Sequence, residues 1–447
     1  LSTLQQAITL HNQGKTAEAE IAYKAVLAKN PREADALLNL AVLLAARAEY
    51  TEAEALLKKM IAAHPKLPHG HFFHGNLLFQ LGRYDAAIPP LTRATTLNPN
   101  DAEAARLLGS ALDLCGREAE AIPVFDRYRR LQPANAALTT FTMAQLHLRI
   151  GNYLQGWELY ESRWLLAEHQ SSIRGFAQPM WLGDVPVAGK TILIHPEQGF
   201  GDMLQFCRYA PLLEAMGARV IVETKAPLLA LMRSLSPTLT LVKQGDPLPP
   251  FDLHCPVMSL PLAFKTTLDT IPATVPYLTP SPEKIAHWRA QLGPKTRPRI
   301  GLVWSGSLTS PVNVPRSVPF AELAPLLALP FEFHSLQKDF RPEERAAIEA
   351  TPELIRHGDT VSSFEDTAAI ISEMDLVIST CTSLAHLTGA LGKPLWMMLH
   401  DRADFRWLLA RDDNPWYPTA RLFRQTKRDD WSNVIGSVIE ASETLHS

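Results

Sequence analysis

One interval, 34 residues, constrains this chain more than any other feature. Pro31, Pro65, Pro99 and Pro133 are separated by it, as are Gly14, Ala48, Gly82 and Gly116. Ala19, Ala53, Ala87 and Ala121 share the register, and so do Tyr23, Leu57, Leu91 and Phe125. These residue types suit a helix–turn–helix unit. A small residue lets the chain reverse, alanine at the helix contact permits close approach, and proline ends the second helix. Such a unit cannot bury its apolar face alone, so neighbours stack into a superhelix with a concave groove. A fifth unit over 137–168 is slipped by one position, at Gly151, and turns aromatic at Trp157, Tyr160 and Trp164. It reads as a cap that docks the stack onto the next domain, with its aromatics packed as core. His69, His71 and His74 crowd the third unit without i,i+4 spacing or an adjacent Cys or acid. They read as groove or packing histidines rather than metal ligands.

After residue 168 the period is lost. Residues 169–189, rich in Pro, Gly and Ser, read as a linker. Short apolar runs then alternate with helical stretches: strands are expected at 191–194, 219–222 and 239–242, with a helix over 202–216. A Pro-rich crossing spans 270–282, and strands resume at 299–304, 331–336, 375–379 and 395–399. This is the βαβ alternation of parallel sheets covered on both faces. The expected architecture is an α-helical superhelix over 1–168 followed by two Rossmann-like α/β lobes, 169–282 and 283–447. Ligands bind beyond the carboxyl ends of such strands, so two facing lobes would share one cleft.

Charge narrows the function. The 447 residues carry 43 Lys and Arg against 46 Asp and Glu, a formal charge of −3. Residues 1–168 hold 17 of each sign, so opposite halves do not cancel. A nucleic-acid binder would need a basic stripe. The four cysteines, Cys115, Cys207, Cys255 and Cys381, are far apart and form no C-x-x-C pair, which fits reduced thiols in a cytoplasm. No apolar run reaches the ~18 residues of a membrane span, and nothing at the start reads as a signal peptide.

The candidate chemistry lies at strand ends. The first strand runs into His195-Pro196-Glu197-Gln198-Gly199-Phe200-Gly201-Asp202 at a helix start. Gly199 and Gly201 let backbone approach a ligand, and the helix end offers unpaired amides. The third glycine and later acid of a dinucleotide fingerprint are missing. Asp202 is either a helix cap or a site residue, and Glu197 and His195 are further candidates. Ser379-Thr380-Cys381-Thr382-Ser383 sets hydroxyls and amides at another helix start, suited to a phosphate but lacking the lysine of a Walker loop. Trp304-Ser305-Gly306 and Ser335-Leu336-Gln337-Lys338 end two more strands, and Lys338 and Arg316 supply cations. His386 lies one turn into its helix. No D-x-D pair stands at a strand end, so no metal is expected.

The register of residues 1–168 resembles tetratricopeptide repeats. Residues 170–445 resemble the heptosyltransferase-related glycosyltransferases of the GT-B fold. The matching stretches are Gly199-Phe200-Gly201-Asp202-Met203-Leu204-Gln205, Leu302-Val303-Trp304-Ser305-Gly306 and the segment from Val377 to Leu387. The tail, Phe405-Arg406-Trp407 with Asn414-Pro415-Trp416-Tyr417-Pro418, is similar to bacterial repeat-fused members. The resemblance implies that Asp202 is the general base and that Thr382 and Ser383 grip the donor diphosphate. Cys381 stands where the family more often has Asp, at a position that can contact the donor sugar, which speaks against heptose. The layout is also similar to the eukaryotic O-linked N-acetylglucosamine transferase and to bacterial flagellin glycosyltransferases, whose repeats select a protein acceptor.

The expected function is therefore an inverting, metal-independent protein O-glycosyltransferase. Its donor would be a nucleotide sugar, carried on UDP, GDP, ADP or CMP, and its acceptor a protein in the repeat groove, with flagellin favoured. Two alternatives stay open: a noncatalytic repeat scaffold with a degenerate transferase domain, and a transferase acting on lipid or polysaccharide.

Overall fold

A computed structural model describes residues 3–197, 199–306 and 316–443. The expected loop between Gly306 and Arg316 lies outside the described residues. The chain divides into two compact units, Leu1–His147 and Leu148–Ser447.

In the first unit the 34-residue interval becomes four helix pairs. They are α1 Thr3–Asn12 with α2 Thr16–Lys29, α3 Ala34–Ala46 with α4 Tyr50–Ala63, α5 Pro68–Gln80 with α6 Tyr84–Leu97, and α7 Ala102–Leu114 with α8 Glu118–Leu131. Gly14, Ala48, Gly82 and Gly116 form the reversals within the pairs, all in the left-handed region at φ 74°, 63°, 71° and 70°. Each register proline follows the second helix of its pair by two residues. Ala19, Ala53, Ala87 and Ala121 are wholly buried, as are Tyr23 and Leu91. These positions repeat because the corresponding place is buried in every unit. His71 Nε2 lies 3.0 Å from the carbonyl of Pro65 and His74 packs beside Glu54, in keeping with packing roles.

The fifth pair is divided. Its first helix, α9 Ala136–Arg149, crosses the boundary between the units, and its second, α10 Tyr153–Tyr160, lies in the second unit. There Trp157 meets Phe206 and Phe405 edge-on, and Trp416 donates its indole N–H to the Tyr153 hydroxyl at 2.9 Å.

The second unit holds two all-parallel sheets. The first has β1 Thr191–His195, β2 Arg219–Thr224, β3 Thr240–Lys243 and β4 Leu253–Pro256 in the order β3-β2-β1-β4. The second has β5 Arg299–Val303, β6 Glu332–Ser335, β7 Leu354–Arg356, β8 Leu376–Ser379, β9 Leu395–Leu399 and β10 Ala420–Arg424. Its order, β10-β9-β8-β5-β6-β7, is the doubly wound order of nucleotide-binding sheets. Register is fixed around β5, where Leu302 stands beside Ser335 on one side and Ile378 on the other. Strands β1, β5, β8 and β9 are buried along almost their whole length, as parallel strands covered on both faces must be.

Two expectations change. The helix expected over 202–216 is two helices, Phe200–Phe206 and Ala210–Ala215, separated by a tight turn over Cys207–Tyr209. Pro211, in the first turn of the second helix, lacks the N–H that a continuous helix would use. Nor is 169–189 a free linker. Phe176 packs edge-on against Phe251 and His254, Trp181 is buried, and Arg174 pairs with the buried Glu223 at 2.7 Å. The aromatic and basic anchors among its Pro and Gly residues hold it against the first sheet.

Candidate functional site

In the second sheet β5 lies between β6 and β8, and the crossover connections depart in opposite directions from it. A crevice forms at the carboxyl ends of strands at such a point. Here it is a cavity of about 440 Å³. Ser305 and Gly306 enter it from beyond β5, Gln337 and Lys338 from beyond β6, and Thr382 and Ser383 from beyond β8. Phe200 and Pro227 contribute from the part of the chain that carries the first sheet.

Gln337 ties two strand ends together. Its Oε1 accepts the backbone N–H of Ser305 at 2.9 Å and of Trp304 at 3.3 Å, and its Nε2 donates to the Ser305 hydroxyl at 2.9 Å. Thr382 is the N-cap of the helix Ser383–Ala390, but its side chain makes no capping hydrogen bond. The hydroxyl lies 3.4 Å from that of Ser379 instead, so the first-turn amides keep their capacity for an anion. The neighbouring helix Phe364–Ser372 is capped in the ordinary way, with the Ser363 hydroxyl accepting the Asp366 N–H. Lys338 is an exposed cation on the cavity wall.

The other sequence candidates do not line the cavity. The Trp304 ring is buried in the core and stacked on Phe340, so only its backbone touches the Gln337 clasp. Cys381 is buried. It accepts the Trp407 indole N–H at 3.1 Å, and a guanidinium nitrogen of Arg316 lies 3.9 Å from its sulfur. Burial pushes its thiol above the ordinary range. His386 stacks on Trp407, with Nδ1 3.0 Å from the Tyr417 hydroxyl, and burial lowers its pKa to about 3. It is a neutral packing residue. Gly201 serves the same junction, since a Cβ there would come within 2.9 Å of His386.

Asp202 and Glu197 are both engaged. Asp202 Oδ2 accepts the Gly199 N–H at 3.0 Å, closing the helix start, and Oδ1 accepts from Arg406 at 2.7 Å. Its side chain keeps 20% of its exposure, so an edge remains open to solvent. Glu197 is buried and bidentate to Arg163, at 2.8 and 3.0 Å, and accepts the Met258 N–H at 3.0 Å. That closed arrangement gives Glu197 a framework role. His195 is buried 3.1 Å from His254 and held down to about 3 by burial.

Several residues around the site were not among the sequence-based site candidates, although two of them stand in the tail motif. Arg406 bridges Asp202, Asp404 and Gln205. Asn414 turns the tail so that Trp416 and Tyr417 reach the first sheet's helices, its Oδ1 accepting both their N–H groups. The tail motif was legible, but its contacts span about 200 positions of sequence and no local pattern encodes them. His357 and Phe364 also line the cavity. They follow β7, a strand too short to give an apolar run. Among the described residues no group of three His, Cys, Asp or Glu side chains is placed to hold a metal, and no helix is long and apolar enough to cross a membrane.

Known proteins match the repeats, and one relative matches a longer stretch that extends beyond them. Residues 4–68 and 74–136 match a tetratricopeptide repeat model. The chain is 27% identical over 339 residues to Protein FlbA of Caulobacter vibrioides, covering 68% of this chain and 55% of that protein. It therefore spans about half the length of the curated relative it matches. Among solved structures it is similar to MamA, with 22% identity, a TM-score of 0.33 and coverage of 37% of this chain and 97% of that one. It is likewise similar to YrrB, described as a TPR protein with an unusual peptide-binding site, with 21% identity, a TM-score of 0.34 and coverage of 38% and 87%.

Proposed function

We propose that the chain is a GT-B glycosyltransferase that binds a nucleotide sugar in the cavity beyond β5 and modifies a protein held by its repeats. The observation that carries this reading is the cavity itself. Three carboxyl strand ends of a doubly wound sheet meet there with Lys338, the hydroxyls of Thr382 and Ser383, and a helix start whose amides no side chain caps. Amides, hydroxyls and one cation are what a diphosphate leaving group needs as its charge develops. The acceptor hydroxyl oxygen would attack the anomeric carbon as the bond to the phosphate oxygen breaks, with inversion. Its proton would pass to Asp202, whose open edge lies at the neighbouring helix start. The resemblance to repeat-fused transferases makes flagellin the acceptor to try first. Co-expressed flagellin should gain a discrete sugar mass, and Asp202→Asn should lower transfer by about 10²-fold or more. Unmodified flagellin would remove the acceptor assignment, and full transfer by the variant would remove the base.

The alternative, a noncatalytic scaffold, draws on one observation. Both oxygens of Asp202 already accept hydrogen bonds, one from the Gly199 N–H and one from Arg406. Under that reading no sugar would be transferred, and calorimetry should show no nucleotide-sugar binding.

A further inference from the structure

A line of polar side chains runs through the second sheet from its amino to its carboxyl edge and ends at the cavity. Arg299, at the start of β5, donates Nε–H to Glu332 Oε1 at 2.7 Å. The same oxygen lies 2.8 Å from His334 Nε2, two residues along β6 on the same face. His334 Nδ1 in turn lies 3.1 Å from His357 Nε2, with the two rings stacked 5.3 Å apart and their planes within 2°. Trp288 closes the far side of His357 edge-on at 5.6 Å.

The proton positions follow from this geometry. A carboxylate only accepts, and the guanidinium and imidazole hydrogen bonds on Glu332 outweigh its burial and keep it ionised. His334 Nε2 must therefore carry the hydrogen. Burial lowers the pKa of His334 and takes that of His357 to about 4, so both rings are neutral near pH 7. A neutral His334 with hydrogen on Nε2 has a lone pair on Nδ1. His357 Nε2 must then be the donor, which leaves His357 Nδ1 as an acceptor. That nitrogen has no hydrogen-bond partner among the described residues, and His357 lines the cavity with the apolar Leu336, Val361 and Phe364.

From this arrangement, and resting on the nucleotide reading above, we infer that His357 is a specificity residue. It accepts a hydrogen bond from an N–H of the donor's nucleobase, in a tautomer locked by the line from Arg299 through Glu332 and His334. The apolar end of the cavity takes the flat base, while Lys338, Thr382 and Ser383 take the phosphates. A locked acceptor rewards a base that presents N–H at that point and penalises one that presents a lone pair, because the unpaired polar atoms would be buried.

Calorimetric titration of the full chain with UDP, GDP, ADP and CMP, and with inorganic pyrophosphate as a probe of the polar end, tests this. His357→Phe keeps the ring stack but removes the acceptor. It should weaken the tightest nucleotide by about ten-fold or more and flatten the ranking of the four, with pyrophosphate affinity unchanged. If the variant retains the wild-type affinity and ranking, the inference is overturned and the nucleotide reading stands. If the wild-type protein binds none of the four nucleotides, both fall. Should His357→Phe lose pyrophosphate binding through misfolding, His357→Gln, which keeps an acceptor, decides: the wild-type ranking supports the inference and a flat ranking overturns it.

Discussion

Gly201 shows how a residue can be found by sequence for one reason and needed for another. A glycine at a helix start after a strand suggests close ligand approach. In the structure it also lets the helix Phe200–Phe206 approach His386, whose ring is fixed between Trp407 and Tyr417. Gly201→Ala would place a carbon within 2.9 Å of a ring that cannot yield. Overpacking of this kind costs about 1–3 kcal/mol, so the variant should melt a few degrees lower in calorimetry, and an unchanged melting temperature would refute the packing role. The candidate residues separate along the same line. Ser305, Gly306, Gln337, Lys338, Thr382 and Ser383 lie past strand ends and reach the cavity, whereas Trp304, Cys381 and His386 face inward. Sequence locates a strand end well, but which way each side chain turns depends on neighbours from other elements, such as Phe340 for Trp304 and Trp407 for Cys381 and His386.

At the scale of elements, the repeat helices were legible because the same buried positions recur four times, while β4, β7 and β10 were not. Strand β4 ends in Pro256, β7 has three residues, and β10 contains Arg421 and Arg424, so none presents a clean apolar run. The repeats yield two tests. Ala48 occupies the left-handed turn position that glycine fills in the other three units, at φ 63°. Ala48→Gly should relieve that strain and raise stability by up to about 1 kcal/mol, read as an upward shift of the chemical-denaturation midpoint, and a lower midpoint would contradict the assignment. The second concerns Glu54 on α4. Its hydrogen bond to Lys58, opposed by partial burial and reinforced by Arg83, holds its pKa at about 2, below the ordinary 4.5. A carboxylate depressed in the folded state stabilises above its unfolded pKa and loses that contribution as pH falls. Glu54→Gln should therefore lower the melting temperature at pH 6, and the difference from the wild-type protein should close between pH 4.5 and about 2. A difference independent of pH would show that charge is not its source.

At the scale of the whole molecule, the near-neutral chain forms two compact units, to which the proposed function gives separate tasks. Leu1–His147 offers repeated helical surface that is close to neutral, and in Leu148–Ser447 the cavity brings together Lys338 and the uncapped amides at the start of the helix Ser383–Ala390. Near-zero charge excluded nucleic acid at the level of sequence. Under the proposed function it means that an anion would have to be held locally, by Lys338 and the helix start at Ser383. The cavity is proposed to bind a nucleotide, and thermal unfolding of the full chain with UDP, GDP, ADP or CMP checks this. At about 100 times the dissociation constant a ligand adds ~2.7 kcal/mol to the folded state. One nucleotide should accordingly raise the unfolding transition of Leu148–Ser447 by several degrees, and Lys338→Ala should diminish that rise. If none of the four moves that transition, the account is contradicted.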